Sequence, residues 1–264
     1  MRTAIAMSIV AITLLVAANC GATEVHWTPA HELAPQGMSN HMTAGDLDGD
    51  GDYDVSMLML IWHFWNIGTP QVPEWEMAEP PYDGVVGCND RAGALGDLDQ
   101  DGDLDLVITC LDEHLRFHRN VGTPQDPEWQ YEPSMFDSVD IVAGGAEPYL
   151  VDLDADEDLD MLVVCNDAHI VRHIENTGIP TSPEWCYHGT VLVVGSGWGP
   201  SIALGDVDGD GDPDLVSITL DSPPECWENV GTPEVFEFVK NPSMLTGVEE
   251  PEWGGGVELL DIDA

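Results

Sequence analysis

The chain is 264 residues long and carries 50 acidic residues against 6 lysines and arginines, a formal net charge of −44 at pH 7. This charge argues against nucleic acid and anionic membranes as partners, because both need a basic binding surface. It keeps a protein soluble and unassociated, and a saline habitat would also explain it.

The first 22 residues have the pattern of an export signal. A short positive start is followed by an uncharged apolar run over residues 4–18, which is too short to span a bilayer as a helix. Small residues follow it, so we predict a signal peptide over residues 1–22, cleaved after Ala22, and a secreted or cell-surface protein. An alternative is a lipoprotein anchored at Cys20, which Asn19 disfavours because a small residue is expected there. No other stretch is predicted to cross a membrane.

One acidic loop recurs through the chain at nearly constant spacing. The first copy, residues 45–54, reads Gly-Asp-Leu-Asp-Gly-Asp-Gly-Asp-Tyr-Asp, and further copies begin at Asp97, Asp152 and Asp206. A fifth copy starts at Asp261. The first aspartates of successive copies lie 51 to 55 residues apart. A period of this size with one loop motif per repeat is typical of a repeat architecture.

The spacing of carboxylates within the loop predicts calcium. A calcium ion takes six to eight oxygen ligands from carboxylates, backbone carbonyls and water. Carboxylates at loop positions 1, 3, 5 and 9 and the main-chain carbonyl at position 7 would surround such an ion. The candidate metal ligands are therefore the aspartates at these positions: Asp46, Asp48, Asp50, Asp52, Asp54, Asp97, Asp99, Asp101, Asp103, Asp105, Asp152, Asp154, Asp156, Asp158, Asp160, Asp206, Asp208, Asp210, Asp212 and Asp214.

The residues after each loop exclude the helix–loop–helix calcium motif. That motif needs a glutamate at position 12, where this chain has Met57, Ile108, Val163 and Ser217. Segments rich in Val, Ile, Leu and Thr follow each loop instead and predict strands. A solvated acidic turn is the alternative for a single copy, but four copies at a fixed period favour calcium.

The loop Asp-x-Asp-x-Asp-Gly-Asp-x-Asp, preceded by a small residue and followed by an apolar strand, resembles the FG-GAP/VCBS repeat of integrin-α-type β-propellers. The trailing Asn-x-Gly-Thr-Pro element is similar to bacterial members of that group. The resemblance covers nearly all of the segment predicted as the mature domain, residues 23–264. It implies an all-β propeller of four-stranded blades, with Ca²⁺ in the loop between the first two strands. Four repeats and the start of a fifth predict an incompletely closed or truncated propeller.

Each period has the same order of elements. Two predicted strands flank the acidic loop, a third leads into a turn rich in Gly and Pro, and an aromatic residue opens the fourth. This aromatic is Trp75, Trp129 or Trp185, with Phe236 taken as its counterpart in the last copy. We expect these rings to pack between neighbouring blades. Residues 24–27 resemble a fourth-strand opening and are predicted to help close the ring.

The third loop departs from the others at position 6, where Glu157 replaces the glycines Gly51, Gly102 and Gly211. If this position is left-handed, a side chain costs on the order of 1 kcal/mol there. We therefore predict that the third site is the weakest.

Cysteines and histidines give weaker signals. Five cysteines follow residue 22, an odd number that leaves at least one free or paired between chains. Cys110 and Cys165 occupy equivalent positions and are expected to be buried as small hydrophobic residues.

His114 and His169 also recur, each two residues after an aspartate. Such Asp–His pairs can hold a transition metal or act as a base, but ordinary hairpin residues are the alternative, since no third ligand is identifiable.

Two classes of function are open. The first is a secreted or cell-surface calcium-binding scaffold that recognises an extracellular protein or glycan. The second is a secreted enzyme acting on polysaccharide, a lyase or hydrolase built on the propeller or carried beside it. Every notable feature recurs at repeat-equivalent positions, whereas an enzyme site normally breaks a repeat with unique residues. The sequence therefore favours the scaffold and predicts no catalytic residue.

Overall fold

The computed structural model describes residues 9–10, 13–16, 34–35, 42–57, 62–69, 74–79, 81–85, 92–110, 114–139, 145–179, 181–195, 198–220, 222–232, 235–245 and 257–260. These residues form twenty strands and one short 3₁₀ helix at Pro242–Leu245. The strands are β1 Ile9–Val10, β2 Thr13–Val16, β3 Ala34–Pro35, β4 Met42–Gly45, β5 Asp54–Met57, β6 Trp62–Asn66, β7 Trp75–Ala78, β8 Gly93–Gly96, β9 Asp105–Thr109, β10 Leu115–Asn120, β11 Trp129–Glu132, β12 Ala146–Val151, β13 Asp160–Cys165, β14 Ile170–Asn176, β15 Trp185–Val193, β16 Trp198–Gly205, β17 Asp214–Leu220, β18 Ser222–Asn229, β19 Phe238–Lys240 and β20 Val257–Leu260.

Sixteen of these strands form four antiparallel sheets of four strands, each sheet in chain order. Blade 1 is β4 to β7, blade 2 is β8 to β11, blade 3 is β12 to β15 and blade 4 is β16 to β19. The blades stand in a ring, so the chain is a four-bladed β-propeller. The predicted all-β fold with four-stranded blades is confirmed. Among the described residues no helix has the length and apolarity needed to cross a membrane.

The first strands of the blades lie next to one another around the ring. Strand β4 lies against β8, and β8 lies against β12. Strand β20, which precedes the predicted fifth loop, lies against both β16 and β4 and pairs in parallel with β2. Strand β2 falls within the span predicted as a signal peptide, and that assignment stays a prediction. Residues 24–27 lie outside the described residues.

The core lies between blades, and strand β13 shows how it is built. Every residue of β13 is buried, because the sheet is covered on both faces. Met161, Val163 and Cys165 pack toward blade 2, while Leu162 and Val164 pack toward blade 4. Successive side chains of a strand point to opposite faces. A continuous apolar run therefore supplies two interfaces at once.

The recurring aromatic residues join neighbouring blades, as predicted. The indole Nε1 of Trp129 donates to the Pro81 carbonyl, which follows blade 1, at 2.7 Å. Trp185 packs against Phe136, with ring centres 5.3 Å apart. In blade 4, however, the residue paired with Asn229 is Phe238. The assignment of Phe236 to this place was wrong by two residues, because the register is set by the distance from the asparagine and glycine of the turn.

The cysteines divide into two kinds. Cys165 and Cys226 are buried and free, and Cys186 is exposed and free. Cys110 is buried, as expected, but it is disulfide-bonded and so does not serve only as a small hydrophobic residue. Its equivalence with Cys165 in the repeat does not extend to its chemistry, because a disulfide depends on a partner that the repeat does not supply.

Candidate metal centres

Each acidic loop joins the first strand of a blade to the second. In every blade the residue before the loop pairs with its ninth position: Gly45 with Asp54, Gly96 with Asp105, Val151 with Asp160 and Gly205 with Asp214. Because the four hairpins are equivalent in blades of the same strand order, all four loops lie at the same face of the ring. The predicted placement of the loops is confirmed.

The first three carboxylates of each loop converge. In the first loop Asp46, Asp48 and Asp50 each offer an oxygen, and these oxygens lie within 4.8 Å of one another. The loop turns around them: the backbone N–H of Asp50 donates to Asp46 Oδ1 at 3.0 Å and to Asp48 Oδ1 at 3.2 Å, and that of Gly51 donates to Asp46 Oδ2 at 3.0 Å. The other loops form the corresponding triplets Asp97, Asp99, Asp101; Asp152, Asp154, Asp156; and Asp206, Asp208, Asp210.

These triplets have the chemistry of a hard-cation site. All donors are carboxylate oxygens, which calcium prefers. Burial, followed by the negative charge of Asp50, raises the pKa of Asp48. Burial, followed by the charge of the position 5 aspartate, also raises the pKa of Asp154 and of Asp208. A bound divalent cation would remove this repulsion, so the residues fit the ion that the sequence predicts.

Each loop places two residues in the left-handed region, at positions 4 and 6. In the first loop these are Gly49 and Gly51, with φ of 72° and 94°. In the third they are Ala155 and Glu157, with φ of 59° and 75°. The left-handed conformation suspected at Glu157 is confirmed. The requirement at position 4 was missed, although glycine there in two of the four loops was a usable signal.

The aspartate at position 9 has hydrogen bonds of its own. Asp54 is 1% exposed, and its carboxylate accepts from the backbone N–H groups of Leu47 at 3.0 Å and Asn66 at 2.9 Å. The Asn66 side chain in turn accepts from the N–H groups of Gly68 and Glu74, both at 3.1 Å. Metal ligation by position 9 therefore stays a prediction, while its structural role is visible: it ties the loop to the turn after the third strand.

The same pairing recurs in the other blades. The backbone N–H groups of Asn120, Asn176 and Asn229 donate to Asp105, Asp160 and Asp214 at 2.8 to 2.9 Å. Burial is the largest cause that raises the pKa of these carboxyls, to about 7 for Asp54, Asp105 and Asp160 and to about 6 for Asp214. Both residue types recur in the sequence, but their positions alone do not reveal this hydrogen bond.

The aspartates at position 7 are placed differently from the triplets. Asp52 and Asp158 are buried, and their backbone N–H groups donate to the position 5 carboxylates Asp50 and Asp156, each at 2.9 Å. The carbonyl at this position was the predicted ligand, and that role stays a prediction.

The second loop contains a cation supplied by the chain. The guanidinium of Arg119 contacts Asp99 through Nη1 and Glu132 through Nε. Sequence reasoning missed this residue. The signal was an arginine directly before Asn120 in a chain with only six basic side chains.

The two recurring histidines lie between the second and third strands of their blades. His169 ends the turn between β13 and β14 and has a φ of 53°, and its N–H donates to the Asn166 carbonyl at 3.4 Å. His114 is exposed and its carbonyl accepts from Cys110 at 3.4 Å. The predicted hairpin location is therefore correct. Asp112, the aspartate two residues before His114, lies outside the described residues.

The repeat is also found by comparison with known proteins. A family model described as FG-GAP-like repeat matches this chain twice, over residues 97–163 and 152–217. The chain carries FG-GAP-like repeats. Each match begins at the first aspartate of one acidic loop and extends through the next loop into the second strand of the following blade, so the two matches include the acidic loops of blades 2, 3 and 4.

Among solved structures, two of those similar to this chain are a lectin and a toxin. The Agrocybe aegerita lectin, described by its specific recognition of non-reducing terminal N-acetylglucosamine, is 17% identical with a TM-score of 0.41, over 75% of this chain and 51% of the lectin. The Photorhabdus luminescens Tc holotoxin pore is 20% identical with a TM-score of 0.37, over 76% of this chain and 9% of the toxin chain. No curated protein sequence matches the chain.

Proposed function

We propose that this FG-GAP-like propeller is a calcium-binding scaffold, exported from the cell, that recognises an extracellular protein or glycan. The observation that carries the proposal is the fourfold recurrence of a carboxylate triplet at the same corner of every blade. Four closely spaced groups of three acids oppose loop closure unless a cation neutralises them.

Calcium is favoured over magnesium and transition metals by the donor set. The triplets offer oxygen alone, with no imidazole or thiolate, which argues against zinc and copper. Magnesium demands near-ideal octahedral geometry and keeps several waters, whereas calcium accepts many carboxylate oxygens in irregular loops. Calcium at extracellular concentration would keep such loops occupied, which is consistent with the predicted signal peptide.

Calorimetric titration of metal-depleted protein tests the calcium proposal. We expect about four calcium ions per chain and a much weaker response to magnesium. Absence of calcium binding, or equal affinity for both ions, would contradict it. Export is tested separately by N-terminal sequencing of the protein recovered from the medium or the cell surface.

The recognition role is supported by the regularity of the ring. The FG-GAP-like repeats present equivalent loops on one face, and charge of −44 directs recognition away from polyanions. A glycan array and a binding screen against extracellular proteins, each with calcium and with chelator, test it. We expect calcium-dependent binding, and no binding to duplex DNA or anionic vesicles at physiological salt.

A further inference from the structure

A cavity of about 500 Å³ lies between blades 3 and 4, beside the third acidic loop. Phe236 and Phe238 contribute to an apolar wall. Asp154, His173 and Glu175 contribute polar groups to the same cavity. The cavity therefore combines aromatic surface with at least two carboxylates, a combination that suits an organic cation.

Two polar atoms at this cavity lack partners. The His173 side chain is only 9% exposed, and its Nε2 forms no hydrogen bond; Asp160 Oδ2 lies 4.0 Å away. Oδ1 of Asp154 is also buried without a partner, and its equivalents in the other loops accept from the N–H of the position 5 aspartate, so it lies toward the loop. Buried polar atoms without partners cost about 1–3 kcal/mol each, so the chain beside this cavity is incompletely paired.

The equivalent place in blade 2 is filled by the chain itself. There the guanidinium of Arg119 contacts Asp99, and its Nε donates to Glu132 Oε1 at 2.8 Å. The Arg119 Cζ atom lies 5.7 Å from the centre of the Phe117 ring. A planar cation thus sits over an aromatic ring between two carboxylates, one of them from the acidic loop.

Blade 3 keeps this arrangement but has no arginine. Counted from the asparagine that ends the third strand, Glu175 stands where blade 2 has its arginine and His173 stands where it has the phenylalanine. Asp154 corresponds to the loop aspartate, and His188, which contacts Glu175, corresponds to the second carboxylate. The aromatic ring and two acids, Asp154 and Glu175, remain.

We propose that the cavity between blades 3 and 4 binds a guanidinium group, carried by an arginine side chain of a partner polypeptide. A guanidinium is flat and weakly hydrated, stacks on aromatic faces and donates to carboxylates in a fixed fork. In this cavity the carboxylates of Asp154 and Glu175 would accept its N–H groups, as those of Asp99 and Glu132 accept from Arg119 in blade 2. An ammonium group offers neither the plane nor the fork.

A metal ion is a poorer occupant. Within the described part of the chain, groups of three or more ligating atoms close enough for a metal occur only as the four aspartate triplets, and neither His173 nor Glu175 belongs to one. The inference rests on the proposed recognition role, because it names the partner's chemistry. Guanidinium binding is nevertheless measured apart from calcium binding, so the failure of either is distinguishable.

The test uses the full chain with calcium and three short peptides that differ at one residue: arginine, lysine or citrulline. Citrulline has the shape of arginine without its charge. By calorimetry we expect saturable binding of the arginine peptide, at least tenfold weaker binding of the lysine peptide, and none of the citrulline peptide. By NMR the ring signals of His173 and His188 should shift only with arginine. Equal binding of arginine and citrulline, or no arginine binding at millimolar concentration, would overturn the proposal.

Substitutions locate the site. Glu175→Arg places a guanidinium in the cavity as in blade 2, and should abolish peptide binding while raising Tm. Glu175→Gln, which retains the size of the side chain, should weaken binding about tenfold and serves if the first variant does not fold. Glu184→Arg makes the same change of charge at an exposed residue just before β15 and should bind normally. Loss of binding in this control, or normal binding in both Glu175 variants, would show that the overall negative charge attracts the peptide.

Discussion

The first and third acidic loops carry the same five aspartates and fold into the same turn, but only the first has residues suited to that turn. Its two left-handed positions are glycines, Gly49 and Gly51. The third loop holds Ala155 and Glu157 in the same conformation, with φ of 59° and 75°. A residue with a Cβ costs roughly 1–2 kcal/mol in this region. The metal donors have thus been kept while the backbone has lost its preference for the turn.

The hydrogen bonds differ accordingly. In the first loop, Oδ1 of Asp46 and Oδ1 of Asp48 both accept from the backbone of Asp50. In the third loop the equivalent atoms, Oδ1 of Asp152 and Oδ1 of Asp154, are buried without a partner. The set of metal-ligating aspartates and the preference of the backbone for the loop conformation therefore vary independently between the repeats. The third loop should depend more on its ion and gain less from it.

Removing calcium from all four loops should have the largest effect on the stability of the protein. Binding to the folded state contributes about 2.7 kcal/mol per site when free calcium is about a hundred times Kd. Four sites together rival the whole stability of an ordinary domain, about 5–15 kcal/mol. We expect chelation to lower Tm by about 20 °C or more, because about 1 kcal/mol corresponds to roughly 2–4 °C at this size. Scanning calorimetry with calcium, magnesium and chelator measures this, and an unchanged Tm in chelator would refute it.

Acidification should partly replace calcium. The folded-state pKa of about 7 at Asp54, Asp105 and Asp160 exceeds the ordinary value of 3.8, because burial favours the neutral acid. The folded chain then binds more protons than the unfolded chain between about pH 4 and 7, so these groups stabilise it as the pH falls. Buried His63 and His173, with pKa lowered to about 4, act oppositely below pH 6.5.

The carboxyls outnumber these histidines, so metal-depleted protein should melt higher at pH 5 than at pH 8. Calcium should flatten or reverse this dependence, because it favours the ionised carboxylates. Melting curves across pH 5 to 8, on protein depleted with a chelating resin, give the sign. A Tm that rises steadily with pH without metal would contradict the assignment. The variant Asp160→Asn should reduce the slope, since it removes one titrating group.

The roles of positions 5 and 9 can be separated within the third loop. Asp160→Ala leaves the N–H groups of Leu153 and Asn176 without their acceptors, and unsatisfied buried donors cost about 1–3 kcal/mol each. We expect this loss with and without calcium. Asp156→Asn keeps an oxygen that can accept from the Asp158 N–H and should cost stability only in calcium, since Asp156 belongs to the metal triplet. Urea denaturation in both conditions measures the two losses, and calcium titration shows whether Asp160 also ligates. Equal behaviour of the two variants would deny the separate roles.

The sequence predicted the blades because each repeat carries the same loop, strand and turn signals, and a fourfold signal outweighs local ambiguity. It missed the link from Asp54 to Asn66 because the acceptor is a side chain and the donor is backbone, so no residue pattern marks the bond. The left-handed φ at position 4 of the loop was not predicted, because φ describes the backbone and only a glycine in the sequence indicates that conformation. The pairing of Arg119 with Asp99 was hidden for another reason: it joins the third strand of one blade to its acidic loop, and the arginine does not recur at this position in the other blades.

The smallest expected effect tests the loop comparison itself. A Cβ built at Gly51 meets nothing within 4 Å, so the position is open and a loop strained there is free to relax when no ion holds it. Relieving that strain in the third loop should therefore increase its calcium affinity and leave the stability of the metal-free protein nearly unchanged. We expect Glu157→Gly to strengthen the weakest calcium site about fivefold, the equivalent of about 1 kcal/mol.

Charge acts in the other direction, because Glu157 attracts the ion, but it is exposed and its attraction is screened by salt. Glu157→Ala separates the two effects: it removes the charge, keeps the Cβ, and should leave affinity unchanged or slightly lower. Gly51→Glu is the mirror substitution and should weaken the first site by the factor that Glu157→Gly gains at the third. Calorimetric titration of the four proteins decides the matter. If Glu157→Gly binds calcium no better than Glu157→Ala, the left-handed conformation at position 6 does not weaken calcium binding.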